Sequence, residues 1–279
     1  FALYPLCVQW VEEFNKQYPN IQVDISAGGA GKGMADALSG MVDLGMFSRE
    51  VSQAEVEKGA WFIAVARDAV LPTMNAAHPE RQALQERGIT RDEFRSIFMD
   101  GKITRWQQLG MESTEDIRIY TRSDACGAAA VWAEYLGGEQ EDLLGLGVFG
   151  DPGLADAVKG DPLAIGYNNV NYVFDVTSRK KYDQLEVIPI DLNSDGAISK
   201  EEQVYSSLDN VTQAISQGVY PSPPARDLYL VSRGKPLRPQ VRLFLEWILN
   251  KGQEMVSGAG YVGLTPDQVQ AQRDKLQAE

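Results

Sequence analysis

Residues 21–25 alternate like a short strand and run straight into Ser26-Ala27-Gly28-Gly29-Ala30-Gly31-Lys32-Gly33, which opens a predicted helix. A strand that feeds a helix through a glycine corner belongs to α/β layering. The four glycines permit positive φ and let successive N–H groups turn toward one point. The helix adds unsatisfied N–H groups and the positive end of its dipole. Two readings fit equally: a plain corner between layers, or a cradle for an anion. A nucleotide-hydrolysing loop does not fit. Gly33 follows Lys32 where such a loop needs Ser or Thr, and Ser26 stands where it needs its first Gly.

At 279 residues the chain can bury a proper core and fill two lobes. Its 44% hydrophobic content, 13 prolines and lack of an apolar run near eighteen residues describe a soluble globular protein. The net charge is −13 and no basic stripe stands out, which argues against nucleic acid and anionic membrane surfaces as partners. An acidic chain can still bind an anion, because surface charge is screened over about 8 Å at physiological salt. The single histidine, His78, lies beside Pro79 in a polar stretch and is expected to be a solvated loop residue. Ser–His catalysis and His-rich metal sites therefore have little support. Two cysteines are too few for a disulfide framework. No signal peptide is visible, so any targeting segment is expected to have been removed.

Strand-like and helix-like stretches alternate along the chain. Leu3, Leu6, Cys7, Trp10, Val11 and Phe14 share one helical face. Met34, Leu38 and Met41 mark a second helix, and residues 42–47 and 61–65 read as strands. Helices are expected over 89–99, 128–136, from Asp151 to about Lys159, over 203–215 and over 241–249; strands are expected over 117–120 and 164–167. The Pro-rich stretch 220–225 is the obvious linker.

The strand 117–120 delivers Thr121-Arg122-Ser123-Asp124-Ala125-Cys126-Gly127-Ala128, again at the mouth of a helix. Arg122 offers a planar fork of donors suited to an oxyanion, and Asp124 can hold that fork in place. The bland alternative is a surface Arg–Asp pair beside a helix cap. Two anion cradles and an arginine in one α/β chain point more sharply than either part. Cys126 at a helix N-terminus could carry a reactive thiolate. However, no arginine closes a phosphate loop within 127–132, and no histidine base accompanies it. Cys7 lies on an apolar face and is expected in the core.

Several pieces occur in one order: Leu3-Tyr4-Pro5-Leu6, the 26–33 loop, Val42-Asp43-Leu44-Gly45 followed by Ser48-Arg49, the stretch from Arg122 to Gly127, and Ala164-Ile165-Gly166-Tyr167. The chain thereby resembles, over nearly its whole length, the phosphate-binding proteins of ABC phosphate transporters within the type II periplasmic-binding-protein superfamily. The resemblance implies a two-lobed α/β fold with mixed sheets flanked by helices, a hinge of two crossovers and an anion held in the cleft. Residues 1–71 and 226–279 would form one lobe and 72–225 the other. The resemblance also implies that a first strand, usually just before the Leu3-Tyr4-Pro5-Leu6 helix, is missing here or lies upstream of Phe1. The family's contacts would fall at Ala2, Leu3, Ala30, Gly31, Ser48, Arg122, Cys126, Gly127 and Ala128. Arg49 would brace the cleft, Asp124 would orient Arg122, and Tyr167 and Asn168 would line the floor. Family members usually carry Ser or Thr at the positions of Ala2, Ala30, Cys126 and Ala128, and some carry Asp at Ser48. The missing hydroxyls would weaken or retune binding, whereas backbone donors are independent of side-chain identity. Sulfate, molybdate or a phosphorylated small molecule is the alternative ligand, and a Cys126-dependent enzyme the remoter one. The resemblance further implies a monomeric extracytoplasmic protein without enzymatic activity, anchored or free, that hands its anion to a membrane permease.

A separate signal lies at Asp191-Leu192-Asn193-Ser194-Asp195-Gly196-Ala197-Ile198-Ser199-Lys200-Glu201-Glu202, which fits a twelve-residue EF-hand calcium loop. Asp191, Asn193 and Asp195 supply side-chain oxygens, Gly196 turns the chain, Ala197 offers its carbonyl, and Glu202 can bind through both oxygens. The loop enters from a strand-like stretch containing Pro189 and exits into a helix, which is half of an EF-hand. A structural Ca2+ in the second lobe is expected; an acidic solvated loop is the alternative.

Overall fold

Caps and prolines decide where the helices start. Tyr4–Gln17 (α1) carries Pro5 in its first turn, where no amide is needed, and buries Leu6, Cys7, Trp10, Val11 and Phe14. Ala30–Ser39 (α2) starts directly at the glycine corner and ends at Gly40, whose left-handed φ of 76° closes it. Gly45–Phe47 (β1) leads to Gln53–Glu57 (α3), which Ser52 and Glu55 open with a reciprocal capping box, and then to the long strand Ala60–Asn75 (β2). Arg81–Arg87 (α4), Ile89–Thr90 (β3) and Arg91–Phe98 (α5) follow; Thr90 and Glu93 cap α5. Arg118–Arg122 (β4), Gly127–Leu136 (α6), Leu146–Val148 (β5), Gly150–Gly160 (α7) and Ala164–Asn169 (β6) build two strand–helix–strand crossovers. Val170–Val173 (α8), Leu185–Val187 (β7), Ile190–Asp191 (β8) and Leu208–Gln217 (α9) precede Ala225–Arg233 (β9). Pro239–Trp247 (α10), Gln253–Val256 (α11) and Pro266–Gln277 (α12) end the chain.

The computed structural model describes residues 1–278. It divides into one unit of Phe1–Asp68 with Arg226–Glu279 and another of Ala69–Ala225. In the first unit β9 lies between β1 and β2 and pairs antiparallel with β1. Its core gathers Trp10, Phe14, Phe244 and Trp247; Phe14 meets Phe244 edge-on at 4.9 Å, and the Trp10 indole donates to the Gly252 carbonyl at 2.8 Å. The ion pair of Asp68 with Arg226 is almost wholly buried at 2.8 Å.

In the second unit β6 runs antiparallel to β2 and parallel to β4, and β5 is parallel to β4 on its other side. The sheets are therefore mixed, flanked by helices, as the alternating pattern predicts. Trp132 of α6 sits among Phe94, Phe98 and Tyr167, with ring centroids 5.2, 5.6 and 6.0 Å away, and this aromatic layer fixes α6 on β6. The strand-like stretch before the acidic loop breaks at Pro189 into β7 and β8.

Several expectations change, among them the helix expected from 203, which starts at Leu208 behind its Ser207 cap. Residues 21–25 are extended and half-bury Ile21, Val23 and Ile25 against the α1 core, but they enter no ladder. Alternation sets which faces are buried; it does not supply a neighbouring strand edge. The glycines of the 26–33 corner take no positive φ. Gly33 is required for a different reason: a Cβ there would lie 2.4 Å from the Met46 carbonyl oxygen, and one on Gly45 would lie 2.2 Å from that of Gly33. Helix α2 thus rests backbone-to-backbone on β1.

His78 is not solvated. It is 3% exposed, meets Trp106 edge-on at 4.7 Å, and its Nδ1 accepts from the Glu80 amide at 3.2 Å. Burial holds its pKa down at about 4, against a weak opposing pull from Asp161. The unfolded chain binds this proton near pH 6.5, so the stability from the neutral ring is present above that pH and lost as pH falls toward 4. The slope in this window should approach about 1.4 kcal/mol per pH unit. Urea unfolding between these limits should show it, His78→Gln should flatten it, and the lone imidazole's NMR signals should not shift until below about pH 5.

Candidate functional site

Arg122 ends β4 in the second unit, in register with Val148, the last residue of parallel β5. The Ser123 amide continues that ladder onto the Val148 carbonyl at 3.0 Å. The loops after parallel strands therefore leave from one edge, where α/β sheets gather ligands. From β4 the chain turns into α6 with Cys126 as its N-cap; from β5 it turns at Gly150, with φ 76°, into α7.

The Arg122 side chain has zero exposure. Its Nε and Nη2 donate to the two oxygens of Asp124 at 2.8 and 2.6 Å, the fork-to-fork pairing expected from the sequence. Its Nη1 donates to Asp151 in the first turn of α7, which sequence reasoning missed. Asp151 is 3% exposed, and its second oxygen accepts from Asn169 Nδ2 at 2.6 Å. Burial alone would lower the Arg122 pKa, but Asp151 and Asp124 outweigh it and the net shift is upward. Burial works against the charge on Asp124 as well, yet Arg122 and the Gly150 amide hold its pKa below the usual range.

Gln140, also missed, ties the loop shut. Its Nε2 donates to the Asp124 carbonyl at 2.8 Å while its Oε1 accepts from the Cys126 amide at 3.1 Å. Cys126 Sγ accepts from the Ala129 amide at 3.4 Å, a weak N-cap in the place of a serine. Helix geometry leaves the amides of Gly127 and Ala128 without acceptors inside the helix. Buried charge, an oriented guanidinium and a helix N-terminus thus converge after β4.

Tyr167 and Asn168 do not line an open floor. Tyr167 is fully buried, with its hydroxyl 2.7 Å from Thr121 Oγ1 and accepting from the Arg122 amide at 3.2 Å. Asn168 is 1% exposed and donates to Thr73. The residue turned to the arginine cluster is Asn169, one place further along the strand.

In the first unit, Gly29 is the N-cap of α2, so the amides of Ala30, Gly31 and Lys32 form its open first turn. The Phe1 amino group donates to the Gly28 carbonyl beside them. Ala2 and Leu3 are buried, and the Ala2 carbonyl accepts from Tyr261 at 2.7 Å. Ser48 is buried after β1. Arg49 grips both oxygens of Glu55 at 3.1 and 2.7 Å and lies 4.6 Å from the Phe47 ring centre, fastening the start of α3.

Within the 191–202 loop Asp191 accepts from the amides of Ser194 and Gly196, Asn193 from Asp195, and Asp195 from Ala197. Glu202 accepts from Leu192, Asn193 and Ser199. Burial opposes its charge, but these amides hold its pKa down. Among the described residues no group of three or more His, Cys, Asp or Glu side chains is arranged to hold a metal ion. No helix among them is long and apolar enough to cross a membrane.

A family profile described as a PBP superfamily domain matches residues 1–251. The chain is 25% identical, over an alignment 318 positions long, to the phosphate-binding protein PstS of Methanocaldococcus jannaschii, covering 93% of this chain and 79% of that one. It is 24% identical to the PstS of Pseudomonas aeruginosa over 94% of this chain and 80% of that one. Its fold matches a structure from Clostridium perfringens, described as a phosphate ABC transporter substrate-binding protein with bound phosphate, at a TM-score of 0.77 and 21% identity, covering 95% and 96% of the two chains.

The site does not activate its thiol. Burial pushes Cys126 up to about 11 and Cys7 up to about 12, the nearby Arg122 only partly opposing the former. Both cysteines are free and buried. Near neutral pH the native protein should react with a maleimide or disulfide reagent at least about a hundredfold more slowly than the urea-unfolded chain. Rapid labelling of Cys126 in the native state would contradict this environment.

Proposed function

The chain belongs to the PBP superfamily domain family, and on that premise we propose that it is an extracytoplasmic solute-binding protein for phosphate or a similar tetrahedral oxyanion, which it delivers to an ABC permease. The observation that carries the reading is the Arg122 cradle: an oriented guanidinium beside the open first turn of α6, at the carboxyl end of β4. The open first turn of α2 provides a second set of amides of the same kind. Gly127 and Gly31 keep side chains out of the anion's approach to these amides. The names of the relatives, which are those of phosphate-binding proteins, point to the same ligand. The protein acts as a monomer and makes or breaks no bond.

The lost hydroxyls favour one specific variation, another oxyanion on the same scaffold. A hydrogen bond to a charged group is worth about 1.5–3 kcal/mol. Ala2, Ala30, Cys126 and Ala128 each forgo a hydroxyl donor, whereas amide donors persist. Sulfate, molybdate and phosphorylated small molecules therefore belong in the same titration panel as phosphate. Calorimetric titration should give at least one of these a Kd below about 1 mM. Arg122→Lys keeps the charge but loses the planar fork and should weaken that binding by about tenfold or more. No binding in the panel, or an unchanged affinity in the variant, would overturn the assignment.

The 191–202 loop is proposed to hold a structural Ca2+. Its Asx-type turns already set the spacing of Asp191, Asn193 and Asp195, and Gly196 takes the required φ of 80°. The ion would be held by these three, the Ala197 carbonyl and Glu202, and it would neutralise an acidic loop. Binding at a hundredfold excess over Kd adds about 2.7 kcal/mol. At about 2–4 °C per kcal/mol, calcium should raise the Tm by roughly 5–10 °C and EDTA should reverse it. An unchanged Tm, or an equal response in Glu202→Gln, would refute the site.

A further inference from the structure

The 191–202 loop is half of an EF-hand, and a lone loop of this kind needs an outside brace to keep its ligands in place. The corner between α4 and α5 stands where that brace would be. β3 and β8 pair in parallel, with Ile89 opposite Ile190 and Thr90 opposite Asp191, and the Ile89 amide donates to the Pro189 carbonyl at 3.0 Å. Further along the loop, the Ile198 amide donates to the Glu86 carbonyl at 2.8 Å. Residues 86–90 therefore hold the loop both at its first ligand and past its glycine turn. Gly88 lies between these two ties with a φ of 71°. A Cβ there would come within 2.4 Å of Ile198 Cδ1 and 3.1 Å of the Pro189 carbonyl oxygen. Only glycine takes this conformation at so close an approach.

The loop also carries charge that its surroundings leave unbalanced. Asp191 and Glu202 are 2% and 6% exposed, and their partners are backbone amides. Among the described residues neither joins an ion pair. Arg87, whose charge acts on Asp191, is itself gripped by both oxygens of Glu93. Buried carboxylates are ordinarily paired with a base or bound to a metal.

On the calcium reading given above, we propose that residues 86–90 form the outer wall of the Ca2+ site and that Gly88 is its positioning residue. The corner supplies no ligand. It acts through Asp191, which it pairs, and through Ile198, the neighbour of the Ala197 carbonyl. A ligand set held from outside has less freedom to lose on binding, so its affinity depends on the brace as well as on the ligands. The same contacts tie the ion to a helix: Thr90, opposite Asp191, caps α5 together with Glu93. Calcium thus fastens the start of α5 along with its own loop.

The test is calorimetric titration of the full chain with calcium chloride, on wild type, Gly88→Ala, Ile198→Ala and the double variant. Each single substitution leaves every ligand residue in place and should weaken calcium binding by about tenfold or more. Both act through one contact, so the double variant should lose less than the product of the two single losses. Amide exchange gives a second readout on the wild type alone: calcium should slow Ile89, Thr90 and Ile198 by about tenfold or more relative to EDTA. Unchanged calcium affinity in Ile198→Ala overturns the proposal, whether or not Gly88→Ala folds. So do losses that multiply in the double variant, and so does calcium binding that leaves exchange at Ile89 and Thr90 as it is in EDTA. Absence of calcium binding to the wild type overturns the calcium reading itself, a result distinct from binding that ignores the corner.

Discussion

A guanidinium with no exposure is the constraint around which the second unit is organised. Removing such a charge from water costs several kcal/mol unless its donors are matched. Arg122 meets that demand with Asp124 from its own loop and Asp151 from the next crossover. The requirement spreads outward: Gln140 fixes the Asp124 loop, Gly150 donates to Asp124, and Asn169 holds Asp151. The aromatic layer of Trp132, Phe94, Phe98 and Tyr167 keeps α6 and β6 at the spacing these bonds need. What positive potential the cradle offers a ligand thus comes largely from amides and the α6 dipole, equivalent to about half a charge.

The first unit reaches a similar end by a different device. There the open turn of α2 owes its position to two glycines that face each other across a helix–strand contact. A single Cβ at Gly33 would press on the Met46 carbonyl, and backbone atoms cannot swing aside as a side chain can. Any other residue would lift α2 off β1 and move the amides of Ala30 and Gly31. Glycine here sets an interplanar distance and contributes nothing to φ.

The parts of this arrangement that are local in sequence were legible. Arg122 with Asp124, the N-cap at Cys126 and the corner before α2 each depend on neighbours a few residues apart, so spacing alone exposes them. Asp151 was not legible, because only the parallel register of β4 with β5 carries its loop to Arg122. Its sequence context, Gly150-Asp151-Pro152-Gly153, reads as an ordinary helix start, and an acid in a first turn already has a local explanation in the helix dipole. His78 misled for the converse reason: polar neighbours suggested solvent, while a distant aromatic, Trp106, buried the ring. Asn169 was displaced by one residue from the expected Asn168 because strand alternation, not identity, decides which of two adjacent asparagines turns toward the cluster.

Two features of the α6 cradle have different physical consequences. Having no hydroxyl at Cys126 or Ala128 leaves out a donor that would serve every oxyanion alike, so it cannot rank them. A buried carboxylate such as Asp151 is different in kind, because the cost of its charge depends on the charge of whatever comes near it. The first is partly hidden, because amides of the α6 turn point the same way. The second cannot be hidden by backbone donors: they are fixed partial charges already present in either case.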